Sequence, residues 1–317
     1  MNQHELALDV LNRLEPELRD RFVVSIADRY DPRLPYQTKL EQELRRELGY
    51  EEVEEVIEGS VLENLLLPAS TFTLQTYLQS LGPLPPYSLL LGKCEDDIPL
   101  LMDLSNPRPG SIMIVGDSQN SMTDLLQVML RSGCEINAPK LLQIHLISND
   151  QEEYTTLKPF RHLQETIPPW SRKASELIVS LSATIEQRRH GRGRGPVIVL
   201  AIDDFSEFIT EGFSSDIFPH LKWLIKHGPK SHVWTFALTN TDSWNAINTS
   251  LIQSFGTRIF GKIDSSYAAR NVTNVDTSIV DTLESDRQFT IKYEQEWINF
   301  TIPECLVCYG NRYVVVR

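Results

Sequence analysis

The chain has 317 residues, 41% of them hydrophobic and 23% charged, the balance of an ordinary globular protein that can bury a real core. Its 43 acidic residues against 30 basic ones leave a net charge of −13, which excludes polyanion binding over the whole surface and leaves room only for a local basic loop. The 4 cysteines point to a reducing compartment rather than a disulfide framework. No run reaches the roughly 18 apolar residues of a membrane span, and "MNQHELALDVL" lacks the pattern of a signal peptide. The expected setting is cytoplasmic, without a membrane partner, so the N-x-[ST] matches at Asn248, Asn271 and Asn299 carry no weight.

Taken in chain order, "HELALDVLNRLEPELRDRFVVSIADRY" and "YQTKLEQELRRELGYEEVEEVIEGSVLENLL" place apolar residues three and four apart, with Gly49 as a helix stop. They predict an acidic helical interaction domain over residues 1–82, closed by a stiff linker at Pro83, Pro85 and Pro86. The run Glu51, Glu52, Glu54, Glu55 and Glu58 reads as a solvated helix face, with a partner surface as the alternative.

From Tyr87 to residue 317 short apolar runs alternate with amphipathic ones. The strand candidates are "SLLLG", "IPLLMDL", "SIMIV", "LLQIHLI", "PVIVLAI", "SHVWTFAL", "TRIFGKI", "QFTIKY" and "WINFTI". Helices are predicted near 123–132, 171–189, 215–227, 243–253 and 265–272. Strands separated by helices predict an α/β fold with a largely parallel sheet covered on both faces.

Two segments carry candidate chemistry. "SIMIVGDSQNSMTD" lays Gly116, Asp117, Ser118, Gln119, Asn120, Ser121, Met122 and Thr123 over the phosphate-loop pattern G-x-x-x-x-G-K-[ST]. In such a loop glycines let backbone N–H groups wrap the phosphates, a lysine neutralises them, and the Ser/Thr hydroxyl holds Mg²⁺. "VIVLAIDD" is a buried-looking run ending in Asp203 and Asp204, the place of the acid that completes the metal site. Either motif alone is weak; in this order on an alternating pattern they support each other.

With those motifs the chain resembles the FtsK/HerA-type motor ATPases of the RecA-like P-loop class. "LLLGKCEDDIPLLMDLSNPRPGSIMIVGD" is similar to the stretch leading into that family's Walker A strand, "PFRHLQE" and "IEQRRH" to its H-L segment and E-M-E-R-R helix, and "AIDDFSEFI" to its Walker B run. "SHVWTFALTN" resembles the next strand, and "LIQSFGTRIFGKIDSSYAARNV" the segment ending D-S-R. The likeness covers roughly 87–302 and implies a RecA-like P-loop core preceded by a small helical domain. It implies Asp203 and Asp204 as Walker B-like catalytic acids, Asn240 at a sensor position, and Thr123 with Asp203 as Mg ligands should nucleotide bind. It also sets Arg258 and Arg270 beside a subunit interface, where structural ion pairs are the simpler assignment.

The departures bear on activity. Gln119, Ser121 and Met122 replace two glycines and the lysine, Asp117 adds a negative charge beside the would-be phosphates, and the acid pair is Asp-Asp. A lost charge-assisted contact is worth about 1.5–3 kcal/mol, and more in a reaction catalysed by positioning and charge neutralisation. "SMTD" fits an [ST]-x-x-[DE] capping box, so Ser121 and Asp124 are expected to close the helix start on itself. "RRHGRGRG", with Arg188, Arg189, Arg192 and Arg194, reads as a solvated turn or as a DNA-contacting loop. Cys305 and Cys308 have knuckle spacing but no second pair, so plain thiols are expected. His145 and the scattered tryptophans read as packing residues.

The implied function is an inactive ATPase-fold scaffold or partner subunit that works through protein partners or self-assembly, with no cofactor. The alternatives are an ATP-binding, DNA-translocating motor subunit using Mg-ATP, and a non-motor DNA-binding protein using the basic loop.

Overall fold

The structure, a computed structural model, describes residues 72–193, 195–211, 216–273, 280, 283, 286–293, 296–309 and 312–315. The helices expected before residue 72 lie outside them, as does Arg194. Contacts gather Thr73–Cys305 into one compact unit, and Met1–Phe72 with Leu306–Arg317 into another. In the latter the described strands are β11 (Leu306–Tyr309) and β12 (Arg312–Val315), which pair antiparallel with Cys308 opposite Tyr313.

The larger unit opens with α1 (Leu74–Leu81), capped by Thr73, whose side chain accepts from the Thr76 N–H. The Pro83–Pro86 segment therefore joins two elements of one unit, because Leu74 is buried and Tyr77, Leu78 and Leu81 pack on the same core as the strands that follow. Next come β1 (Ser88–Cys94), β2 (Pro99–Asp103), β3 (Ile112–Gly116), α2 (Gln119–Ile136), β4 (Leu142–Ile147), β5 (Leu163–Ile167), α3 (Arg172–Arg189), β6 (Val197–Ile202), α4 (Phe205–Glu211) and α5 (Phe218–His227). They are followed by β7 (Val233–Asn240), a 3-10 turn (Thr241–Ala246), α6 (Thr249–Ile252), β8 (Thr257–Phe260), α7 (Ser266–Thr273), β9 (Gln288–Tyr293) and β10 (Glu296–Thr301).

The strands form one 10-stranded sheet in the order β2-β1-β10-β9-β8-β3-β7-β6-β4-β5. From β8 to β5 the pairings are parallel, and β9, β10, β1 and β2 add antiparallel strands at the other side. All six residues of β6 and all five of β3 are buried, the signature of strands covered on both faces. Alternation along β3 then feeds two cores. Ile112 and Ile114 join α2 through Met122, Leu125, Leu126 and Met129, while Met113 and Val115 join α3, α4 and α5 through Ile178, Phe205, Phe208 and Leu221.

All nine predicted strands are present. The sequence reading missed β5, whose "LQETI" carries three polar residues in the middle of an edge strand, β12, and α4, which is only seven residues long. The helix expected at 243–253 is a 3-10 turn followed by one α turn.

Gly228 stands where α5 hands over to β7, in ordinary right-handed helical backbone. A Cβ there would lie 2.3 Å from the Val233 carbonyl oxygen and 2.4 Å from that of Leu224, so main chain would have to move. Gly228→Ala, which usually stabilises a helical position by about 0.5–1 kcal/mol, should here cost about 1–3 kcal/mol as overpacking, read as a lowered midpoint in urea denaturation.

Candidate functional site

In a parallel sheet the carboxyl ends of the strands face one crevice, where ligands of open α/β folds bind. Register puts Gly116 of β3 opposite Asn240 of β7, and Ile147 of β4 opposite Ile202 of β6. Asn240 at the end of β7 and the residues just past the other ends, Asp117, Ser148 and Asp203, thus converge with the start of α2.

The phosphate loop is not a loop. α2 begins at Gln119, so Asn120, Ser121 and Met122, which the motif would leave wrapped around an anion, are helical. The cause is local. Without glycines at 119 and 121 the backbone has no cheap route to an open cradle, while Ser118 in an extended conformation (φ −95°, ψ 110°) makes a good N-cap. Its hydroxyl accepts from the Ser121 N–H at 3.3 Å and meets the Ser121 hydroxyl at 2.9 Å. This corrects the expected capping box: Ser118, one turn earlier than Ser121, caps the helix, and Asp124 sits within α2, its carboxyl pushed up by burial. Arg287 pulls that value back down and Glu304 adds to the rise.

Met122, in the lysine position, is wholly buried, with Cγ and Sδ 3.6 Å from where a Cβ on Gly116 would lie. It belongs to the apolar stripe of α2 at i, i+3, i+4 and i+7 with Leu125, Leu126 and Met129.

Asp203 is 7% exposed and closely surrounded by donors. Tyr154 Oη donates to its Oδ1 at 2.7 Å and Thr123 Oγ1 to the same oxygen at 3.0 Å, while Ser148 Oγ donates to Oδ2 at 2.9 Å. Gln119 Nε2 donates to the Asp203 main-chain carbonyl at 2.9 Å. Burial pushes the Asp203 carboxyl up, and the hydrogen bonds from Tyr154, Ser148 and Thr123 oppose that rise. The predicted Mg pair, Thr123 and Asp203, is thus brought together, but as a direct hydrogen bond. Both carboxylate oxygens are engaged by hydroxyls, which do not suit a hard cation needing several free oxygen ligands. No group of three or more His, Cys, Asp or Glu among the described residues is arranged to hold a metal.

The other predicted acids also have structural work. Asp204 Oδ1 accepts from Ser206 Oγ at 2.6 Å and from the Glu207 N–H at 2.8 Å, which makes it the cap of α4. Asp117 is a tie between strand ends: its carboxylate accepts from the Thr241 hydroxyl and from the Asp264 N–H at 2.7 Å, and its own N–H donates to the Lys262 carbonyl at 3.2 Å. Asn240 completes the tie, donating to the Asp117 carbonyl and accepting from the Asp242 N–H, both at 2.9 Å.

Sequence reasoning missed Ser148, Tyr154, Glu153 and Thr241. Ser148 was within reach, since it follows the β4 run just as Asp203 follows β6. Tyr154 and Glu153 come from a 3-10 turn (Glu153–Leu157) with no motif. Burial, then the nearby Asp203, Asp150 and Asp124, raise the Glu153 carboxyl to about 7.

The basic segment divides. Arg188 is committed to main chain, donating to the carbonyls of Ser231 at 3.0 Å and Pro196 at 2.8 Å, so it is not a free contact for DNA. Arg189 lies 5.0 Å above the Trp223 ring, near Glu186, and Arg192 is exposed. The His227 value is lowered first by burial, then by Arg189, Lys226 and Lys230. Neither Arg258 nor Arg270 makes an ion pair among the described residues, against expectation; Arg258 instead stacks over Trp244 at 5.8 Å.

No protein-family model matches the sequence, and no curated protein matches it. Solved structures do. The chain is similar to EssC (ATPases 2 and 3) from Geobacillus thermodenitrificans, with a TM-score of 0.57 and 16% identity over 70% of this chain and 47% of that one. It is similar to the cytoplasmic domain of the Thermomonospora curvata type VII secretion ATPase EccC, with a TM-score of 0.59 and 16% identity over 74% and 32%. It is similar to the pCW3 conjugation coupling protein TcpA in its monomer form with ATPγS, with a TM-score of 0.55 and 15% identity over 68% and 66%. It spans less than two thirds of each of these proteins. The mixed sheet with its crevice at the strand ends is thus a RecA-like P-loop ATPase fold. Its likeness to EssC, to the secretion ATPase EccC and to the coupling protein TcpA is one of fold. No helix among the described residues is long and apolar enough to cross a membrane.

Two outcomes follow from this geometry. Tyr154→Phe should lower stability by about 1.5–3 kcal/mol, the range for a hydrogen bond to a charged group, in chemical denaturation. Glu153 holds its proton more tightly in the folded state than at the ordinary value of 4.5, so its stabilising contribution is whole below about that pH and is lost as pH rises through about 7. The stability of Glu153→Gln minus that of the wild type should therefore grow across this window and level off above it.

Proposed function

We propose that this chain is an ATPase-fold protein without a working nucleotide seat, acting as a scaffold or partner subunit in a larger assembly. The observation that carries this reading is the helical start of α2 at Gln119 with Met122 buried beneath it, where a phosphate cradle and its lysine would stand. Three features support it. The Asp203 carboxylate is hydrogen-bonded to the protein's own hydroxyls. Asp117 and Asn240 brace the strand ends. The crevice gathers Asp124, Asp150, Glu153 and Asp203, like charges that repel a polyphosphate. The similar folds of a secretion ATPase and a conjugation coupling protein suggest protein partners, with the residues before α1 as the candidate interaction domain.

Calorimetric titration of Mg·ATPγS into the protein should give no saturable heat, and the melting temperature should not move with nucleotide. A surviving site would stabilise by about 2.7 kcal/mol at about 100 times its Kd, and such a shift would overturn the reading in favour of an ATP-binding motor subunit.

One observation favours a second reading, contact with DNA: Arg189, Lys226 and Lys230 converge around His227, and Arg192, three residues on from Arg189, is exposed. On that reading duplex binding weakens with salt, and Arg192→Ala lowers the logarithmic salt slope by about 1. Binding that ignores both salt and the substitution would remove it.

A further inference from the structure

A cleft of about 410 Å³ opens on the sheet away from the degenerate loop. Arg258 and Phe260 of β8 line it, with Lys292 of β9, Trp297 of β10, and Phe255 and Thr257 before and at the start of β8. Phe260 belongs to the core beneath α3, α4 and α5, whereas Met122 belongs to the core on the opposite sheet face, so the cleft and the strand-end crevice are separate.

The cleft combines features that structural packing leaves unanswered. Arg258 is half-buried and its Nε is buried without a hydrogen-bond partner. Its guanidinium lies over Trp244 at 5.8 Å, with no carboxylate in reach among the described residues. Lys292, exposed across the cleft wall, rests its ammonium 5.9 Å from the Trp297 ring and makes no ion pair among the described residues. A guanidinium withdrawn from water without a counter-charge is costly, and burial alone draws the Arg258 value down. In a chain of net charge −13, two cations on one cleft with no ion pair among the described residues stand out, one of them half-buried. Gly256, Thr257 and Thr273 share the rest of the wall with the Phe255, Phe260 and Trp297 rings, the last two 5.9 Å apart. Aromatic rings beside a few convergent charged groups are among the elements of a small-molecule site.

We infer that this cleft binds a small molecule with a flat apolar body and an anionic head, the head set between Arg258 and Lys292 and the body against Phe255, Phe260 and Trp297. The head is a carboxylate or a phosphate. A planar, bidentate guanidinium accepts either, and the ammonium adds a point charge. The site needs no nucleotide at the strand ends, so it stands whether or not the scaffold reading does.

The test is a titration of the full chain with 2-naphthoate, naphthyl phosphate and neutral 2-naphthalenemethanol. The readout is the tryptophan indole N–H resonances, with that of Trp297 assigned through Trp297→Phe. The expected result is a saturable shift of the Trp297 resonance with at least one anion, the tighter of the two naming the head group. The neutral probe should bind at least about tenfold more weakly, as should either anion to Arg258→Gln or Lys292→Gln. Arg172→Gln, a change at a side chain 91% exposed on α3, should leave the affinity as it was. Melting curves confirm that each variant is folded. No saturable shift with either anion up to millimolar concentration overturns the proposal. So does equal binding of the neutral probe, or undiminished binding by folded Arg258→Gln and Lys292→Gln together.

Discussion

A carboxylate taken out of water must be met by donors, and Asp203 sets that condition for the whole crevice. Its partners come from separate pieces of chain: Thr123 from α2, Ser148 from the end of β4, and Tyr154 from the 3-10 turn that follows. Satisfying them all fixes how far α2 can slide along the sheet and where the chain after β4 must fold back. A second tie, from Asp117 to Thr241 and the Asp264 backbone, does the same on the other side of β3. Between these ties the start of α2 has little freedom, and Ser118 caps it where it lies.

The crevice also has the wrong sign for the ligand its fold suggests. A phosphate loop offers N–H groups and an ammonium to an anion; here a buried thioether takes the ammonium's place and carboxylates crowd alongside. That Glu153 is pushed up to about 7 by burial and by Asp203, Asp150 and Asp124 shows how poorly the region tolerates one more negative charge. The cations cluster elsewhere, around the ends of α3 and α5 and on β8 and β9. The charge distribution therefore argues along with the backbone.

Much of this was legible before the structure. Continuous apolar runs such as "VIVLAI" announce buried parallel strands, because only strands covered on both faces can dispense with polar alternation. The degeneracy at Gln119, Ser121 and Met122 is visible in the letters, since glycine and lysine have no physical substitutes in that role. Two things were hidden. "SMTD" looked like the cap, yet Ser118 serves, because capping depends on where the backbone turns extended and not on which four-residue match is best. Tyr154 was invisible, because a hydroxyl delivered from an irregular turn has no periodicity to betray it. Arg258 was read as one half of an ion pair; a side chain's partner is a property of the fold, and here the partner is the ring of Trp244.

The burial of Met122 has a consequence for the neighbouring sequence space. To regain a cradle the chain would need glycines at 119 and 121 inside what is now the first turn of a helix, and a lysine where a side chain with no exposed surface now packs. Taken singly, each glycine loosens α2, and the lysine puts an ammonium into a hydrocarbon layer with no phosphate yet there to receive it. Each of these single changes gives a less stable protein with no cradle formed. The core itself thus holds the start of α2 in its helical form against any one of these changes.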